Sequence, residues 1–513
     1  MKILIWISLF LLPVCSFAQQ TIINTASGKV EGLVHEGINE FKGIPFAEPP
    51  VGPLRWKAPV PIKAWNGIKK CVAYGASPVQ NDPVPFMCWS KEFLIPKEPI
   101  SEDCLYLNVW TKSTSSKSKK PVLVYIYGGG FRSGGSACPI YDGEAIAKKD
   151  VVFVSFNYRV GVFGFLSHPE LSNETSYNTS GNYALLDMIA ALNWVQQNIA
   201  SFGGDPSKVT IAGQSAGAFA VNFLCASPLA KGLFARAIAQ SGGSVLPSAI
   251  RPSIKLQEAE VIGVDFAKKM NCNSIAELRS KSAQEIQAMN GGLSAPFEDG
   301  YVLPTSIYSI YKNGNQNDVD LMLGWNEDDK IMGKPLSAVE YKAQINKRFG
   351  EKSNAALTHY PADNDGQAAK SQGDMSRDES FGVQGFAWAN MQRSSGEHPV
   401  YVYNFNRKLP YYSPETNFGA FHSGEIVYAF NNLHTLDRPW EKIDHQLAET
   451  MSNYWVNFVK TGDPNGALLL NWPRYDINKG DVLILDKKTE STALPTRGQL
   501  KFLEELSLSS MKK

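Results

Sequence analysis

Seven short runs of apolar and β-branched residues constrain the fold more than any other feature of the sequence. They cover residues 121–127, 151–158, 208–213, 235–242, 319–326, 400–405 and 482–486. Most are continuously apolar rather than alternating, which predicts strands covered on both faces, as in a parallel sheet. Segments of helical periodicity lie between them, such as residues 183–202, which end at Gly203 and Gly204. The sequence therefore predicts an α/β fold, a doubly wound and mostly parallel sheet with helical insertions, including a mostly helical segment at 243–318.

The first eighteen residues, MKILIWISLFLLPVCSFA, combine a lysine, an apolar stretch and a small-residue exit. This pattern is typical of a secretory signal peptide cleaved before Gln19. A membrane anchor is the first alternative, but the apolar stretch is short for a bilayer span. A lipoprotein at Cys15 is the second, but Val14 is bulkier than the small residue usual before such a cysteine. We expect a secreted or periplasmic protein without a membrane anchor, whose residues 19–513 form one domain because no long linker interrupts them.

Charge and cysteine spacing exclude several classes of function. The 50 basic and 49 acidic residues are well mixed, so nucleic acid and anionic membranes are not expected as partners. No His or Cys cluster has the spacing of a zinc site, so we expect no metal. The glycine-rich segment at 128–130 has neither the Lys-Ser/Thr pair of a phosphate loop nor the spacing of a dinucleotide site, so we expect no cofactor.

Ser215 lies in TIAGQSAG at residues 210–217, after a predicted strand and before a small-residue helix. The glycines on either side could serve packing alone, and a G-x-S-x-G pattern is common by chance. Its position between strand and helix favours a nucleophile held on a sharp turn.

A serine nucleophile needs a base and an acid. In the fold that carries this motif the chain order is Ser, acid, His. His422, in a loop of small residues after the strand 400–405, is the best base by position and elimination. The remaining histidines precede Ser215 or lie in a helix, before a strand or in polar surroundings: His35, His168, His359, His398, His434 and His445.

Three acids follow the strand 319–326, at the sheet edge where an acid is required. They are Glu327, Asp328 and Asp329, and although three adjacent acids are often only a solvated turn, we expect one to be the triad acid. Gly128, Gly129 and Gly130 follow another strand and let the backbone turn its N–H groups towards a substrate oxyanion. This loop and the turn at Ser215 predict an oxyanion hole.

These motifs together resemble the type-B carboxylesterase and cholinesterase family over essentially the whole chain after the leader. The matching segments are FKGIPFAEPPVGPLRW (41–56), SEDCLYLNVW (101–110), YGGGFRSGG (127–135), NYRVGVFGFL (157–166), the segment 181–206, TIAGQSAGA (210–218) and GAFHSGEI (419–426). The resemblance implies an α/β-hydrolase fold and ester hydrolysis through an acyl-enzyme. It places the nucleophile on Ser215, the base on His422 and the oxyanion donors on the backbones of Gly129, Gly130 and Ala216.

The sequence departs from the family pattern at two places. The family's triad acid falls on Asp329, with Asp where Glu is usual and Lys330 where Gly is usual, and Glu327 stays the alternative. Gln214 stands where the family often has Glu, which disfavours a cationic, choline-like substrate.

The resemblance also implies structural pairings. It implies an ion pair between Arg55 and Glu102 and a disulfide that closes the loop at Cys104, with Cys88 favoured over Cys71 as the partner. Cys272 matches one half of a further family disulfide, but its partner position is not a cysteine here.

The function we predict is that of a secreted serine carboxylesterase acting on small-molecule esters through Ser215, Asp329 and His422. A catalytically silent adhesion or binding protein on the same fold is the rival from another class, and a serine peptidase is the enzymatic rival. The natural ester and the oligomeric state stay open.

Overall fold

One mixed sheet of thirteen strands forms the centre of the structure. The computed structural model describes residues 19–248, 251–330 and 333–510, so the predicted leader, 1–18, lies outside the described residues. The strands are β1 Gln19–Thr25, β2 Gly28–His35, β3 Ile38–Pro45, β4 Ile68–Lys70, β5 Tyr106–Thr111, β6 Lys120–Ile126, β7 Val152–Phe156, β8 Gly204–Gln214, β9 Arg236–Gln240, β10 Asp320–Asn326, β11 Val400–Phe405, β12 Asp481–Leu485 and β13 Glu490–Ala493.

The middle of the sheet is parallel. Its strands follow the order β7-β6-β8-β9-β10-β11-β12, and every neighbouring pair in that series is parallel. These are the seven runs that the sequence predicts as strands, with small differences at their ends. The prediction of a mostly parallel α/β sheet is therefore confirmed.

The edges of the sheet are mainly antiparallel and were not predicted. β1, β2, β3 and β5 form an antiparallel series that joins the parallel strands at β7, and β13 pairs antiparallel with β12 at the far edge. β4 adds a short parallel pairing to β2. Every residue of β4 and β13 is exposed, so these two strands carry no apolar run that a sequence pattern could detect.

The helices follow the strands as predicted in the first half of the chain and less closely in the second. They are α1 Glu144–Lys148, α2 Gly161–Phe165, α3 Pro169–Asn173, α4 Tyr183–Asn198, α5 Ala216–Ala226, α6 Leu256–Lys269, α7 Ile275–Ser280, α8 Ala283–Ala288, α9 Ile307–Lys312, α10 Ala338–Phe349, α11 Ser353–His359, α12 Asp365–Arg377, α13 Val383–Ser395, α14 Ile426–Ala429, α15 Lys442–Thr461 and α16 Arg497–Ser510. No helix of the described residues is both long and apolar enough to span a bilayer.

The predicted mostly helical segment 243–318 is a set of four helices, α6 to α9, separated by loops. The segment contains less helix than predicted. Between α8 and α9 the chain leaves the helical conformation at Gly291 and Gly292, whose φ angles are positive, 118° and 76°. The predicted helix at 183–202 is present as α4, and its last four residues form a 3-10 turn.

Helices cover both faces of the parallel strands. Every residue of β7 and of β11 is buried, although successive side chains of a strand point to opposite faces. α5 packs against β8 and β9, α13 against β10 and β11, and α15 against β6 and β8. This burial on two faces explains why the central strands are continuously apolar in sequence.

The carboxyl ends of three neighbouring strands are held level with one another. The N–H of Ser215, after β8, donates to the carbonyl of Gln240 at 2.9 Å, and the N–H of Ser241, after β9, donates to the carbonyl of Gly324 at 2.8 Å. The loops that follow β8, β9 and β10 therefore begin at one edge of the sheet.

The predicted disulfide is absent. Cys71, Cys88 and Cys104 are all free and buried. The prediction of a Cys88–Cys104 disulfide is therefore wrong for this structure, as is the less favoured pairing with Cys71.

The ion pair that the resemblance implied is present. The guanidinium of Arg55 donates from Nε and Nη2 to the Glu102 carboxylate at 2.6 and 2.5 Å. Its Nη1 donates to the carbonyls of Arg279 and Lys281. This one side chain therefore connects the N-terminal region to the Cys104 loop and to the end of α7.

Candidate active site

Ser215 lies on a sharp turn between β8 and α5. Its φ of 54° and ψ of −125° are unusual for a residue with a side chain. The turn is possible because its neighbours are glycines. A Cβ on Gly217 would lie 1.9 Å from the carbonyl oxygen of Ile126, and one on Gly213 would lie 2.4 Å from the backbone of Gly217. The local sequence therefore folds into a strained elbow with serine at its tip.

His422 is bonded to a buried carboxylate. Its Nδ1 lies 2.7 Å from Oδ1 of Asp329, and the Asp329 side chain has no solvent exposure. The second carboxylate oxygen, Oδ2, accepts from the hydroxyl of Ser241 at 2.6 Å and from the N–H of Asn326 at 2.8 Å. The carboxylate is thus held in one orientation, with a single oxygen facing the imidazole.

The two neighbouring acids face elsewhere. The Glu327 carboxylate lies 3.2 Å from Nη1 of Arg377. The Asp328 carboxylate accepts from the N–H of Ala420 at 2.9 Å, which ties this loop to the one that carries His422. Of the three acids considered in the sequence, the structure brings only Asp329 to the histidine.

The side-chain amide of Gln214 contacts the imidazole of His422. Its Nε2 lies 3.2 Å from Nε2 and 3.4 Å from Nδ1 of the ring, so it faces both nitrogens about equally. With Nδ1–H donated to Asp329, the Nε2 atom of the imidazole carries a lone pair that can accept a proton. Among the described residues the Ser215 hydroxyl has no hydrogen bond, although Ser215 and His422 line the same cavity.

Aromatic rings hold the imidazole on two sides. Phe381, in a π-helical turn formed by Asp378–Gly382, stacks on His422 with ring centroids 4.6 Å apart and an interplanar angle of 16°. Trp89 meets the imidazole edge-on at 6.1 Å, and its Nε1 donates to the hydroxyl of Ser423. These contacts restrict the rotation of the ring, and His422 itself lines the cavity.

A second buried carboxyl lies behind the Asp329–His422 pair. Glu425 has no solvent exposure, and its oxygens accept from Nδ2 of Asn326 at 2.6 Å and from Nε2 of Gln240 at 3.1 Å. Burial, and next the charge of Asp329, raise the pKa of Glu425 to about 7. The group therefore changes charge near neutral pH, unlike an exposed glutamate.

The glycine loop after β6 lies directly against Ser215. A Cβ on Gly128 would be 3.0 Å from the Cβ of Ser215, so only glycine permits this approach. Gly129 and Gly130 have φ angles of 120° and 62°, and neither N–H donates to any other described residue. Ala216 begins α5, and the first N–H groups of a helix have no partner within the helix. Three unused donors therefore surround the serine.

These groups open into one cavity of about 690 Å³. Its walls combine Ser215, His422 and the glycine loop with apolar side chains such as Trp89, Phe93 and Ile95. The volume lies within the range common for small-molecule sites. The arrangement can bind a small substrate with a polar carbonyl at the glycine loop and apolar groups along the wall.

One group of possible metal ligands lies outside the cavity. The ligand atoms of His35, Glu40 and Glu144 lie within 4.8 Å of one another. Lys42 already pairs with Glu40 at 2.7 Å, and Lys148 with Glu144 at 2.5 Å, so both carboxylates are neutralised by lysines. None of the three residues lines the cavity.

Comparison with known proteins decides the family. A family model described as "Carboxylesterase family" matches residues 19–503. The chain belongs to the carboxylesterase family. This carboxylesterase is 35% identical to fumonisin B1 esterase of Sphingopyxis macrogoltabida, over 91% of this chain and 87% of that protein. It is 34% identical to para-nitrobenzyl esterase of Bacillus subtilis (strain 168), over 91% of this chain and 95% of the other.

A solved structure gives the same result for the fold. A structure of PNB esterase superposes on this carboxylesterase with a TM-score of 0.80 and 30% identity, covering 94% of this chain and 98% of that one. The fold is that of an α/β-hydrolase, and the protein is a carboxylic ester hydrolase of the type-B family.

Sequence reasoning missed several residues that shape the site of this carboxylesterase, among them Ser241 and Phe381. Ser241, which donates to Asp329, follows a predicted strand at the sheet edge where we looked for functional groups, so its position was a usable signal. Phe381 stacks on His422 from a segment far along the chain, and no pattern in the sequence connects the two.

Proposed function

We propose that this protein is an exported serine carboxylesterase that hydrolyses small carboxylic esters through an acyl-enzyme on Ser215. The observation that supports this most is the gathering around one cavity of a serine on a strained elbow, a histidine bonded to a buried aspartate and three unused backbone N–H groups. A silent adhesion protein has no need of this combination.

In the reaction we propose, the Ser215 hydroxyl donates to Nε2 of His422 and transfers its proton there as its oxygen attacks the ester carbonyl. Asp329 stabilises the imidazolium that forms. The carbonyl oxygen becomes an oxyanion and accepts from the N–H groups of Gly129, Gly130 and Ala216. Collapse of the tetrahedral intermediate expels the alcohol, which takes the proton from His422.

The second half of the reaction uses the same groups. A water molecule gives a proton to Nε2 of His422 and attacks the acyl carbon bound to Ser215. The oxyanion is held again by the three N–H groups, and collapse releases the carboxylic acid while the proton returns to the serine oxygen.

Replacement of the nucleophile tests the proposal. Ser215→Ala should lower turnover of p-nitrophenyl acetate by roughly 10⁴-fold or more, because the side chain that carries the acyl group is gone. Ser207→Ala, at an exposed position near the other end of β8, is the matched control and should keep its activity. A p-nitrophenyl alkylphosphonate should label the peptide that contains Ser215, and labelling of a different peptide would rule out the mechanism.

The substrate range can be mapped with a panel of p-nitrophenyl, p-nitrobenzyl, aryl, acetylated-sugar and choline esters. A p-nitrobenzyl ester is included because one relative is named for that activity. We expect neutral esters to be better substrates than choline esters, because Gln214 is uncharged where a carboxylate would attract a cation.

Export is supported by the leader-like residues 1–18, whose small-residue exit predicts cleavage before Gln19. Mass spectrometry of the protein recovered from its natural host should give Gln19 as the first residue. Recovery of an intact N-terminus would show that this segment is not removed.

A further inference from the structure

Arg251 lies on the wall of the catalytic cavity without an acidic partner. Its guanidinium is 4.3 Å from the ring centroid of Phe219 and 5.5 Å from that of Phe381. Its Nη1 donates to the carbonyl of Ser380 at 3.3 Å. Among the described residues no carboxylate forms an ion pair with it, and its Nε and Nη2 groups donate to none of them. Desolvation lowers the pKa of Arg251 to about 10, which leaves the side chain charged at neutral pH.

Arg251 is exposed, and it differs from the buried arginines of this protein, whose charge is already neutralised. Each of four buried arginines is bonded to a carboxylate within 3 Å: Arg55 to Glu102, Arg159 to Asp187, Arg377 to Asp378 and Arg407 to Asp444. Arg251 instead keeps free N–H groups on an exposed side chain that a ligand in the cavity can reach. Cation–π contacts with Phe219 and Phe381 hold its guanidinium in place.

The position of Arg251 relates it to the reacting groups. Phe381 contacts Arg251 and also stacks on His422, and the N–H of Phe219 donates to the carbonyl of Ser215 at 2.9 Å. The Phe381 ring thus lies between Arg251 and the histidine, and Phe219 belongs to the helix that follows the nucleophile. The other charged residues on the cavity wall, besides His422, are Arg132 and Asp82, and both are exposed, as Arg251 is.

We propose that Arg251 forms an anion subsite of the catalytic cavity, which binds a carboxylate group carried by the ester substrate. This proposal rests on the proposed function and names the substrate class: esters with a free carboxylate a few bonds from the scissile carbonyl. The guanidinium can present its two unused N–H edges to a carboxylate in a bidentate arrangement.

Matched ester pairs test the proposal and show which side of the ester carries the carboxylate. On the acyl side, the p-nitrophenyl monoester of adipic acid is compared with p-nitrophenyl hexanoate. On the alcohol side, 4-carboxyphenyl acetate is compared with 4-methylphenyl acetate. For each pair the measured quantity is the ratio of kcat/KM for the charged ester to that for the neutral one. Arg251→Gln should lower this ratio for one pair roughly 10- to 100-fold, because the glutamine side chain has no charge to strengthen a hydrogen bond to the carboxylate. Arg251→Lys should lower the ratio less, because lysine keeps the positive charge.

Arg438 provides a matched control. Its guanidinium also lies over a phenylalanine ring, 5.1 Å from the centroid of Phe421, and burial also lowers its pKa, but it does not line the catalytic cavity. Arg438→Gln should leave both ratios unchanged. The proposal is overturned if Arg251→Gln leaves both ratios at the wild-type value, or if Arg438→Gln lowers them equally.

A binding measurement separates this proposal from the proposed function. Calorimetric titration with adipate should detect binding to the wild-type protein and a loss of affinity, again roughly 10- to 100-fold, in Arg251→Gln. This readout needs no turnover. Failure of the wild-type protein to hydrolyse neutral esters would contradict the proposed function alone, and equal adipate binding by both proteins would contradict the anion subsite alone.

Discussion

Asp329 has a carboxylate whose two oxygens are fully engaged. Oδ1 faces the imidazole of His422, while Oδ2 accepts from Ser241 and from the backbone of Asn326. An aspartate is one methylene shorter than the glutamate usual in the family, and here the donors behind it hold it close enough for a 2.7 Å contact. The short side chain is therefore compensated by its surroundings.

Asp329→Asn should lower kcat by about 10⁴-fold, because the amide keeps the shape but cannot stabilise the imidazolium or select its tautomer. Glu327→Gln and Asp328→Asn are the matched controls, and each should change kcat by no more than about threefold, as expected of groups outside the reacting set. Steady-state hydrolysis of p-nitrophenyl acetate measures all three. A severe loss in Glu327→Gln with a mild one in Asp329→Asn would reverse the assignment.

Glu425 should make stability depend on pH. Burial holds the pKa of its carboxyl near 7, above the ordinary value of about 4.3. Folded protein therefore keeps a proton that unfolded protein has lost, so the stability associated with this group is complete below about pH 4.3 and is lost as the pH rises to 7.

Glu425→Gln should remove the loss of stability that Glu425 causes as the pH rises. The Oδ1 atom of Asn326 and the Oε1 atom of Gln240 are buried without a partner, so one of these amides can turn and accept from the new amide. Relative to wild type, the free energy of unfolding of the variant should increase by on the order of 1–3 kcal/mol between about pH 4.5 and 7.5. Urea titrations at several pH values measure this difference, and a difference that does not change with pH would contradict it.

At the scale of single residues, the sequence could predict the groups that carry recognisable chemistry. Ser215, His422 and the three candidate acids follow strands, and the chain order of the fold selects among them. The sequence could not predict which acid faces His422, because that depends on the direction in which the loop after β10 turns. It could not predict Phe381 or Arg251 either, since their neighbours in space are distant in sequence.

The elbow between β8 and α5 depends on close approach of two backbones. Gly217 lies in the first turn of α5, and the carbonyl oxygen of Ile126, at the end of β6, occupies the space that a Cβ would need. Since both partners are backbone atoms in the packed centre of the molecule, neither can move without disturbing the sheet.

Gly217→Ala should lower the free energy of unfolding by about 2–4 kcal/mol, or prevent folding, because the added methyl displaces α5 from β6. Gly366→Ala is the matched control. Gly366 lies in the first turn of α12, and the nearest atom to an added Cβ is a side-chain oxygen at 3.4 Å. This control should be neutral or more stable by about 0.5–1 kcal/mol. Chemical denaturation measures both, and equal stability of the two variants would show that the elbow tolerates a side chain.

At the scale of elements, the buried strands could be predicted from the sequence and the exposed ones could not. The seven central strands are covered on both faces, so each is a continuous apolar run and each was predicted. The edge strands β4 and β13 are fully exposed and were missed. The segment between β9 and β10 was predicted as mostly helical, but its helices are separated by loops whose backbone turns the sequence pattern did not reveal.

The six cysteines from Cys71 onwards are all free and buried. Burial raises the pKa values of Cys71, Cys88 and Cys138 to about 12, so the reactive thiolate is scarce at neutral pH. In a protein that begins at Gln19, Ellman's reagent should react slowly before unfolding and with six thiols after it.

A reductant gives the complementary measurement. Dithiothreitol should leave Tm unchanged, because no bond of the described structure depends on oxidation. A fall in Tm, or a linked peptide that contains Cys88 and Cys104, would show that the disulfide implied by the family resemblance is present.

The groups proposed to act on the ester are widely separated along the chain, from the glycine loop at 128–130 to His422. During synthesis on the ribosome, a chain that has emerged only as far as β11 has the proposed nucleophile but not the proposed base, so we expect it to have no ester-hydrolysing activity. The contacts that bring these segments together are long-range, and such contacts form late and slowly in parallel sheets. Regain of activity in a refolding experiment should therefore lag behind regain of helical circular dichroism, which makes ester hydrolysis a direct measure of completed folding.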